Sequence, residues 1–256
     1  MDTVISADGT TIAYEKAGSG HPIVLIGGAF NDHTRLAPMA GALAGDFTAV
    51  GYDRRARGAS GDTRPYAVER EVEDLAAVLA TVGGKAALFG YSSGGILALH
   101  AATSLPVTHL VLYEVPFATD GPPRPAGLPA RLDALVQAGR PGDAVALFQT
   151  EGIGLPPQMV AQIRQSPMWP ALEAIAQSTV YDATLTAEYG TLTPAMAAVS
   201  VPTLVLTGVG TWPALTAAAK AMPIGRHVEV PGAGDHDIPV AETAALVREF
   251  LTVNNP

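Results

Sequence analysis

Continuous apolar runs alternate along the chain with segments whose apolar residues recur at helical spacing. Uninterrupted runs of this length are typical of strands that are buried on both faces of a parallel sheet. They occur at residues 22–26, 47–52, 85–89, 109–113, 201–207 and 227–230. Helical spacing is clearest over residues 68–82, where Gly83 and Gly84 end the pattern, and it returns at 213–222 and after Val240. This alternation predicts an α/β fold with a mostly parallel, doubly wound sheet that has helices on both faces.

Two segments depart from the alternation. Residues 3–6 and 11–15 flank Asp8 and Gly9, a dipeptide typical of a tight turn, and predict an antiparallel hairpin. Residues 117–200 are rich in proline and carry only short helix-like runs, at 130–138, 143–150, 157–165 and 171–179. Because this stretch lies between two predicted strands, we interpret residues 1–116 and 201–256 as the core and 117–200 as an inserted helical cap. The cap should cover the carboxyl ends of the strands, where open α/β sheets bind their ligands.

Composition narrows the class of protein. The 256 residues include 48% hydrophobic and 15% charged side chains, which suits one α/β domain with an insertion. The net charge of −9 and the lack of a basic run make nucleic acid and anionic membranes unexpected partners. The absence of cysteine excludes disulfides, thiolate metal sites and a cysteine nucleophile. The opening residues resemble no signal peptide and no apolar run reaches the length of a membrane span, so we expect a cytoplasmic protein.

One short motif carries the strongest chemical signal. Residues 90–94 read Gly-Tyr-Ser-Ser-Gly and fit the G-x-S-x-G pattern, in which a serine sits on a tight strand-to-helix turn. The apolar run at 85–89 precedes the motif and a helix-like run at 96–100 follows it, which is the context that the pattern requires. Gly90 and Gly94 lack the Cβ atoms that would clash with the neighbouring strand and helix. The motif therefore predicts Ser92 as a nucleophile and leaves the N–H of Ser93 free at the start of a helix.

Several motifs, taken in their order, resemble the α/β-hydrolase superfamily over nearly the whole chain. They are the hairpin turn at 8–10 and the segments 24–28, 51–61, 90–94 and 232–236. The resemblance implies a sheet of the α/β-hydrolase type, a helical cap at 117–200, and serine chemistry that needs no cofactor and no metal. A serine at the turn, where other branches carry an aspartate, argues against the epoxide hydrolase and haloalkane dehalogenase branches.

The resemblance also implies which residue activates Ser92. A serine hydroxyl is a weak nucleophile at neutral pH and needs an adjacent base. The family places its catalytic histidine after the last strand and a glycine-rich turn, and this position corresponds to His236. His33 is the rival base, because it follows the loop that begins at residue 27.

The acid of the predicted triad has two candidates. Much of the family places an aspartate after the strand that follows the cap, but residues 206–212 contain no acid. A variation in the family places the acid at the end of the strand before the cap, where this chain has Glu114. A carboxylate there is costly to bury unless it has a partner, and the Nδ1–H of His236 would supply one. Asp120 is the alternative acid, whereas Asp53, followed by arginines at 54, 55 and 57, suggests an ion-pair role.

Two backbone N–H groups are expected to stabilise the developing oxyanion. One belongs to Ser93, directly after the nucleophile. The resemblance places the other on Ala29, with Phe30 as the alternative. Gly27 stands where the family usually has a histidine, which leaves open how this loop is anchored.

These residues together predict a serine hydrolase that cleaves a small hydrophobic carboxylic ester or lactone through an acyl-enzyme, with Ser92, His236 and Glu114 as the triad. An acyltransferase or a hydrolase of carbon–carbon bonds would use the same three residues. A hydrolase-like protein that binds a ligand without cleaving it is the third alternative, because a fold does not dictate a function.

Overall fold

The computed structural model describes residues 1–118 and 125–253, and its centre is an eight-stranded sheet with the order β1-β2-β4-β3-β5-β6-β7-β8. The strands are β1 Asp2–Ile5, β2 Thr11–Ala17, β3 His21–Ile26, β4 Phe47–Tyr52, β5 Ala86–Tyr91, β6 Val107–Tyr113, β7 Thr203–Gly210 and β8 Arg226–Gly234. β1 pairs antiparallel with β2, and β2 with β4, while β3 to β8 run parallel. The predicted hairpin and the mostly parallel doubly wound sheet are both confirmed.

Helices pack against both faces of the sheet and fill the connection between β6 and β7. They are α1 His33–Leu43, α2 Val68–Ala80, α3 Ser93–Ala101, α4 Leu128–Gln137, α5 Pro141–Leu147, the π-helix Phe148–Ile153, α6 Pro157–Arg164, α7 Trp169–Ala174, α8 Gln177–Tyr189, α9 Pro194–Ala197, α10 Pro213–Ala221 and α11 Val240–Val253. Within the described part of 117–200 every regular element is helical, so the segment that we call the helical insertion carries no strand there.

Alternating residues of the strands build two separate cores. In β3, Val24 and Ile26 pack into one core with residues of α2, α3 and α10. Ile23 and Leu25 point to the opposite face and pack with residues of α1 and α11. Successive strand side chains project to opposite faces, so a strand that is apolar at every position must be covered on both sides.

The pattern of apolar residues missed α1, for which no helix was predicted. Its Leu36, Met39 and Leu43 are buried at helical spacing, but Pro38 interrupts the segment and weakens the signal. The helix forms nonetheless because Asp32 caps it, accepting a hydrogen bond from the Thr34 N–H at 2.9 Å.

Two predicted helices of the insertion have the wrong bounds. The run at 143–150 lies across α5 and the π-helix. The run at 171–179 is divided between α7, which ends at Ala174, and α8, which begins at Gln177. At this break the hydroxyls of Ser178 and Thr179 each donate to a backbone carbonyl at 2.7 Å, an alternative to the helical ladder that local periodicity does not reveal. None of the helices in the described ranges combines the length and the apolar character needed to cross a lipid bilayer.

Candidate active site

Ser92 occupies a strained turn between β5 and α3. Its backbone angles are φ 54° and ψ −126°, a combination that costs energy for any residue with a Cβ. Hydrogen bonds on both sides hold the turn: the Ser92 N–H donates to the Tyr113 carbonyl, and the Gly95 N–H donates to the Ser92 carbonyl, each at 2.9 Å. Such strain persists only where the surrounding structure enforces it, and it is common at functional sites.

The glycines of the motif are required by close packing. A Cβ on Gly94 would lie 2.3 Å from the Ile26 carbonyl oxygen, and a Cβ on Gly90 would lie 2.5 Å from the Gly95 Cα. Both distances are shorter than any that real Cβ atoms adopt. The turn can therefore approach β3 at Gly94, and the strand can approach the start of α3 at Gly90, only without side chains at these two positions.

His236 follows β8 and is hydrogen-bonded to the predicted acid. Its Nδ1 lies 2.5 Å from Oε2 of Glu114, which is fully buried. The other carboxylate oxygen, Oε1, accepts the Gly208 N–H at 2.8 Å. Both residues have positive φ, 60° for His236 and 50° for Glu114, so the backbone is strained at each.

The position of Gly208 explains how an acid on the strand before the insertion reaches this histidine. Gly208 lies in β7, the strand after which much of the family carries its acid. The β7 backbone instead donates an N–H to Glu114, which extends from the end of the neighbouring strand β6. Asp120, the alternative acid, lies outside the described residues.

Aromatic rings hold the imidazole of His236 in place. Its ring stacks on Tyr91 with a centroid separation of 4.9 Å and on Trp212 with one of 5.2 Å. The Tyr91 hydroxyl donates to the His236 carbonyl at 2.6 Å, and the Tyr113 hydroxyl donates to the Asp237 carbonyl at 2.8 Å. The loop is thus fixed through its backbone and the ring through stacking, which leaves Nε2 as the available ring nitrogen.

Ser92 and His236 line the same cavity of about 590 Å³, which lies at the carboxyl ends of the strands. Ser92 Oγ forms no hydrogen bond to His236 or to any other described residue. In the absence of substrate, hydrogen bonds between catalytic groups are often long or poorly aligned, and they commonly tighten when substrate binds. The surroundings are mainly apolar, and the π-helix and the segment after it supply five of the lining residues. The lining is Ala29, Asn31, Tyr91, Ser92, Ser93, Pro116, Phe148, Gly152, Ile153, Leu155, Met159, Asp182, Thr186, Trp212, Ala214, Leu215, Asp235 and His236.

Both predicted oxyanion donors also line this cavity. Ser93 is the first residue of α3, and neither its N–H nor that of Ala29 donates to another described residue. The loop is anchored by Asn31, whose Oδ1 accepts the Gly28 N–H at 3.1 Å. A Cβ on Gly28 would lie 2.8 Å from the Cβ of Ser92, so the loop packs directly against the predicted nucleophile.

The predicted ion pair between Asp53 and the arginines after it is wrong. Asp53 is fully buried and accepts hydrogen bonds from Nδ1 of His33 at 2.8 Å, from the His33 N–H at 2.7 Å and from the Ala59 N–H at 2.8 Å. His33 lines a different depression from the one that holds Ser92, so the structure does not bring this rival base to the nucleophile. Among the described residues Asp32, His33 and Asp53 could hold a metal ion, since their ligand atoms lie within 4.8 Å of one another.

The arginines pair instead with acids that sequence reasoning did not connect to them. Arg54 makes two hydrogen bonds to Glu71, at 2.6 and 2.7 Å, and one to Asp182 on α8 at 2.9 Å. Arg57 donates to the other oxygen of Asp182 at 2.6 Å, and Arg55 pairs with acids elsewhere. Burial by itself would raise the pKa of Glu71, but the charge of Arg54 lowers it to about 2. The run of arginines after β4 was the available signal, but nothing local marked Asp182 as their partner.

The sheet order and the serine turn after β5 define an α/β-hydrolase fold. Residues 18–250 match the model of the alpha/beta hydrolase family, and the chain belongs to that family. An alpha/beta hydrolase from Sphaerobacter thermophilus has a crystal structure that is similar over 98% of this chain and 100% of its own, with a TM-score of 0.90 and 46% sequence identity.

Two further relatives are more distant. A thermophilic esterase from Thermogutta terrifontis covers 100% of this chain and 99% of its own, with a TM-score of 0.74 and 25% identity. The uncharacterized hydrolase YraK of Bacillus subtilis is 34% identical over 99 residues, which is 37% of this chain and 36% of that protein. These comparisons place the chain among hydrolases.

Proposed function

We propose that this protein is a serine hydrolase that cleaves small hydrophobic carboxylic esters or lactones through an acyl-enzyme. The observation that carries the proposal is the 2.5 Å contact between the buried Glu114 and His236, which lines the same cavity as Ser92. A carboxylate that accepts from Nδ1 holds the imidazole in the tautomer whose Nε2 can take a proton. This arrangement supports general-base activation of Ser92.

The reaction proceeds in two halves. His236 Nε2 takes the Ser92 proton while Oγ attacks the substrate carbonyl carbon, and the N–H groups of Ala29 and Ser93 hold the resulting oxyanion. When the tetrahedral intermediate collapses, His236 returns the proton to the leaving alkoxide and an acyl-Ser92 ester remains. Water then gives a proton to His236 and attacks the acyl carbon. When this second tetrahedral intermediate collapses, the bond between the acyl carbon and Ser92 Oγ breaks and His236 returns the proton to Oγ, which releases the carboxylic acid and restores Ser92.

The cavity supports an apolar substrate of moderate size. Phe148, Ile153, Leu155 and Met159 line it together with Trp212. Apolar walls with a few convergent polar groups are typical of small-molecule sites in this size range. The esterase from Thermogutta terrifontis, at 25% identity over the full chain, agrees with ester chemistry.

The test combines active-site labelling with a substrate panel. A fluorophosphonate should label the wild type and not Ser92→Ala, and chromogenic esters and lactones of increasing chain length should show Ser92-dependent release of acid. Ser104→Ala is the matched control, because this exposed serine lies beyond the far end of α3. A wild type that binds these compounds but neither reacts with the label nor releases acid would refute the proposal. A product that carries the acyl group on an added alcohol would identify acyl transfer instead.

A further inference from the structure

A buried carboxylate of the helical insertion reaches the turn that follows Ser92. Asp182 lies on α8, and only 1% of its surface is exposed. Its Oδ1 accepts the Ser93 hydroxyl at 2.8 Å and Arg54 Nη1 at 2.9 Å, and its Oδ2 accepts Arg57 Nη2 at 2.6 Å. Asp182 therefore connects the insertion to the residue whose N–H the proposed mechanism uses.

Arg54 extends this connection to the second half of the oxyanion site. Its Nη1 lies 3.3 Å from the Gly27 carbonyl and 3.4 Å from the Ser93 hydroxyl, besides its contact with Asp182. Gly27 begins the loop that carries Ala29. One guanidinium thus touches both segments that carry the proposed oxyanion donors, and Asp182 orients it together with Glu71.

Removal of the Asp182 carboxylate would leave a buried arginine without its counter-ion. Arg57 is 1% exposed, and its Nε and Nη1 atoms have no hydrogen-bond partner in the described ranges, so Asp182 is the acid that compensates its charge. A buried charge that loses its counter-ion is strongly destabilised, so the ion pairs keep α8 and the Ser93 turn in a fixed relation. Asp182 also lines the cavity that we propose for the substrate, so a displacement of α8 would change the shape of that cavity.

We infer that Asp182 is a positioning residue which sets the Ser93 and Ala29 N–H groups for the transition state, so that docking of the helical insertion controls turnover. The inference rests on the proposed function, because it assigns Asp182 a role in the oxyanion site of that reaction. Donors placed for the transition state lower the barrier without tightening ground-state binding. Loss of this placement should therefore reduce kcat and leave KM nearly unchanged.

The experiment is a double-mutant cycle of Asp182→Ala and Ser93→Ala, with kcat and KM measured on the best ester of the panel. Ser93→Ala keeps the backbone N–H and removes only the hydroxyl that contacts Asp182. We expect kcat to fall about tenfold for Ser93→Ala and about 10- to 100-fold for Asp182→Ala, with KM within threefold, since removal of an oxyanion donor typically costs about 100- to 1,000-fold. The double variant should lose far less than the product of the two, because both changes remove the same contact.

A second readout separates positioning from a merely structural role. A trifluoromethyl ketone forms an oxyanionic adduct with Ser92, so its affinity should fall in parallel with kcat in each variant. Asp133→Ala is the matched control: Asp133 also joins the insertion to the core, through Arg64 at 2.5 Å, but that pair is exposed and away from the cavity. Its kcat should stay within twofold of the wild type.

Each outcome decides the inference. A Ser93→Ala variant with wild-type kcat, multiplicative losses in the cycle, or an inhibitor affinity that does not follow kcat would each overturn it while leaving the proposed function intact. Ser93→Ala decides the question alone where Asp182→Ala does not fold. A wild type without any Ser92-dependent turnover would overturn both the proposed function and this inference.

Discussion

Glu114→Gln tests the proposed catalytic pair most directly. Gln keeps the size of the side chain and an oxygen for the Gly208 N–H, which Oε1 accepts at 2.8 Å in the wild type. It then presents an amide N–H₂ group to His236 Nδ1, where the wild type has a carboxylate oxygen at 2.5 Å. Nδ1 must accept this hydrogen bond, so the imidazole proton moves to Nε2 and the ring can no longer take the Ser92 proton.

The size of the effect follows from this change of tautomer. The corresponding replacement of Asp by Asn in a serine protease triad lowers kcat by about 10⁴-fold, so we expect a loss of about 10³- to 10⁴-fold, or about 4 to 5.5 kcal/mol in the activation barrier. KM should change little, because Glu114 has no exposed surface and does not line the cavity. Glu229→Gln is the matched control, since this exposed acid pairs with Lys220 at 3.2 Å and does not line the cavity.

Steady-state hydrolysis of a chromogenic ester, with stability followed by thermal denaturation, gives the measurement. A folded Glu114→Gln variant that keeps kcat within tenfold of the wild type would refute the role of Glu114. A comparable loss in Glu229→Gln would show that the change acts through the sheet in general.

Three further predictions concern packing, pH and specificity. Gly94→Ala should lower the free energy of unfolding by about 1 to 3 kcal/mol, because its Cβ would lie 2.3 Å from the Ile26 carbonyl oxygen, whereas Gly41→Ala, in a helix with nothing within 4 Å, should raise it by about 0.5 to 1 kcal/mol. Urea unfolding measures both, and equal stability of the two variants would contradict the account of the turn. The pKa of Glu71 is about 2 in the folded protein, below its ordinary value of 4.5, so this group stabilises the fold above pH 4.5 and its contribution disappears as the pH falls towards 2. The difference in unfolding free energy between the wild type and Glu71→Gln should therefore shrink by about 2 kcal/mol between about pH 5 and pH 3, and a constant difference would exclude this linkage. Phe148→Ala should widen the cavity and raise the ratio of kcat/KM for octanoate over butyrate esters, and an unchanged ratio would show that Phe148 does not limit acyl length.

Much of the core could be predicted because its signals are local. The strand-to-helix turn at Ser92 could be predicted because only glycine fits at position 94 beside Ile26, and five adjacent residues contain the whole motif. The buried strands could be predicted because both of their faces pack into a hydrophobic core, as in β3, which makes them continuous apolar runs in the sequence. The missed helix α1 shows the limit, since Pro38 lowers the local preference and burial of Leu36 and Met39 restores it.

The structure of the helical insertion and the partners of the buried arginines were harder to predict from the sequence. The π-helix supplies Phe148 and Ile153 to the cavity, yet the local pattern predicted an α-helix across its beginning. Asp53 was expected to pair with the arginines next to it in sequence, but it is held by His33. Local sequence order does not show which buried acid faces which arginine, because that depends on how α8 docks.

By itself the sequence determined the alternation of strands and helices, the strained serine turn and the set of residues from which a triad could come, because these depend on neighbours along the chain. Only the tertiary structure decided that Glu114 meets His236 across 122 residues and that Asp182 meets Ser93 across 89. Such contacts depend on the order of the strands and on the docking of the insertion, which are settled by the burial of apolar surface and the pairing of buried charges over the whole molecule.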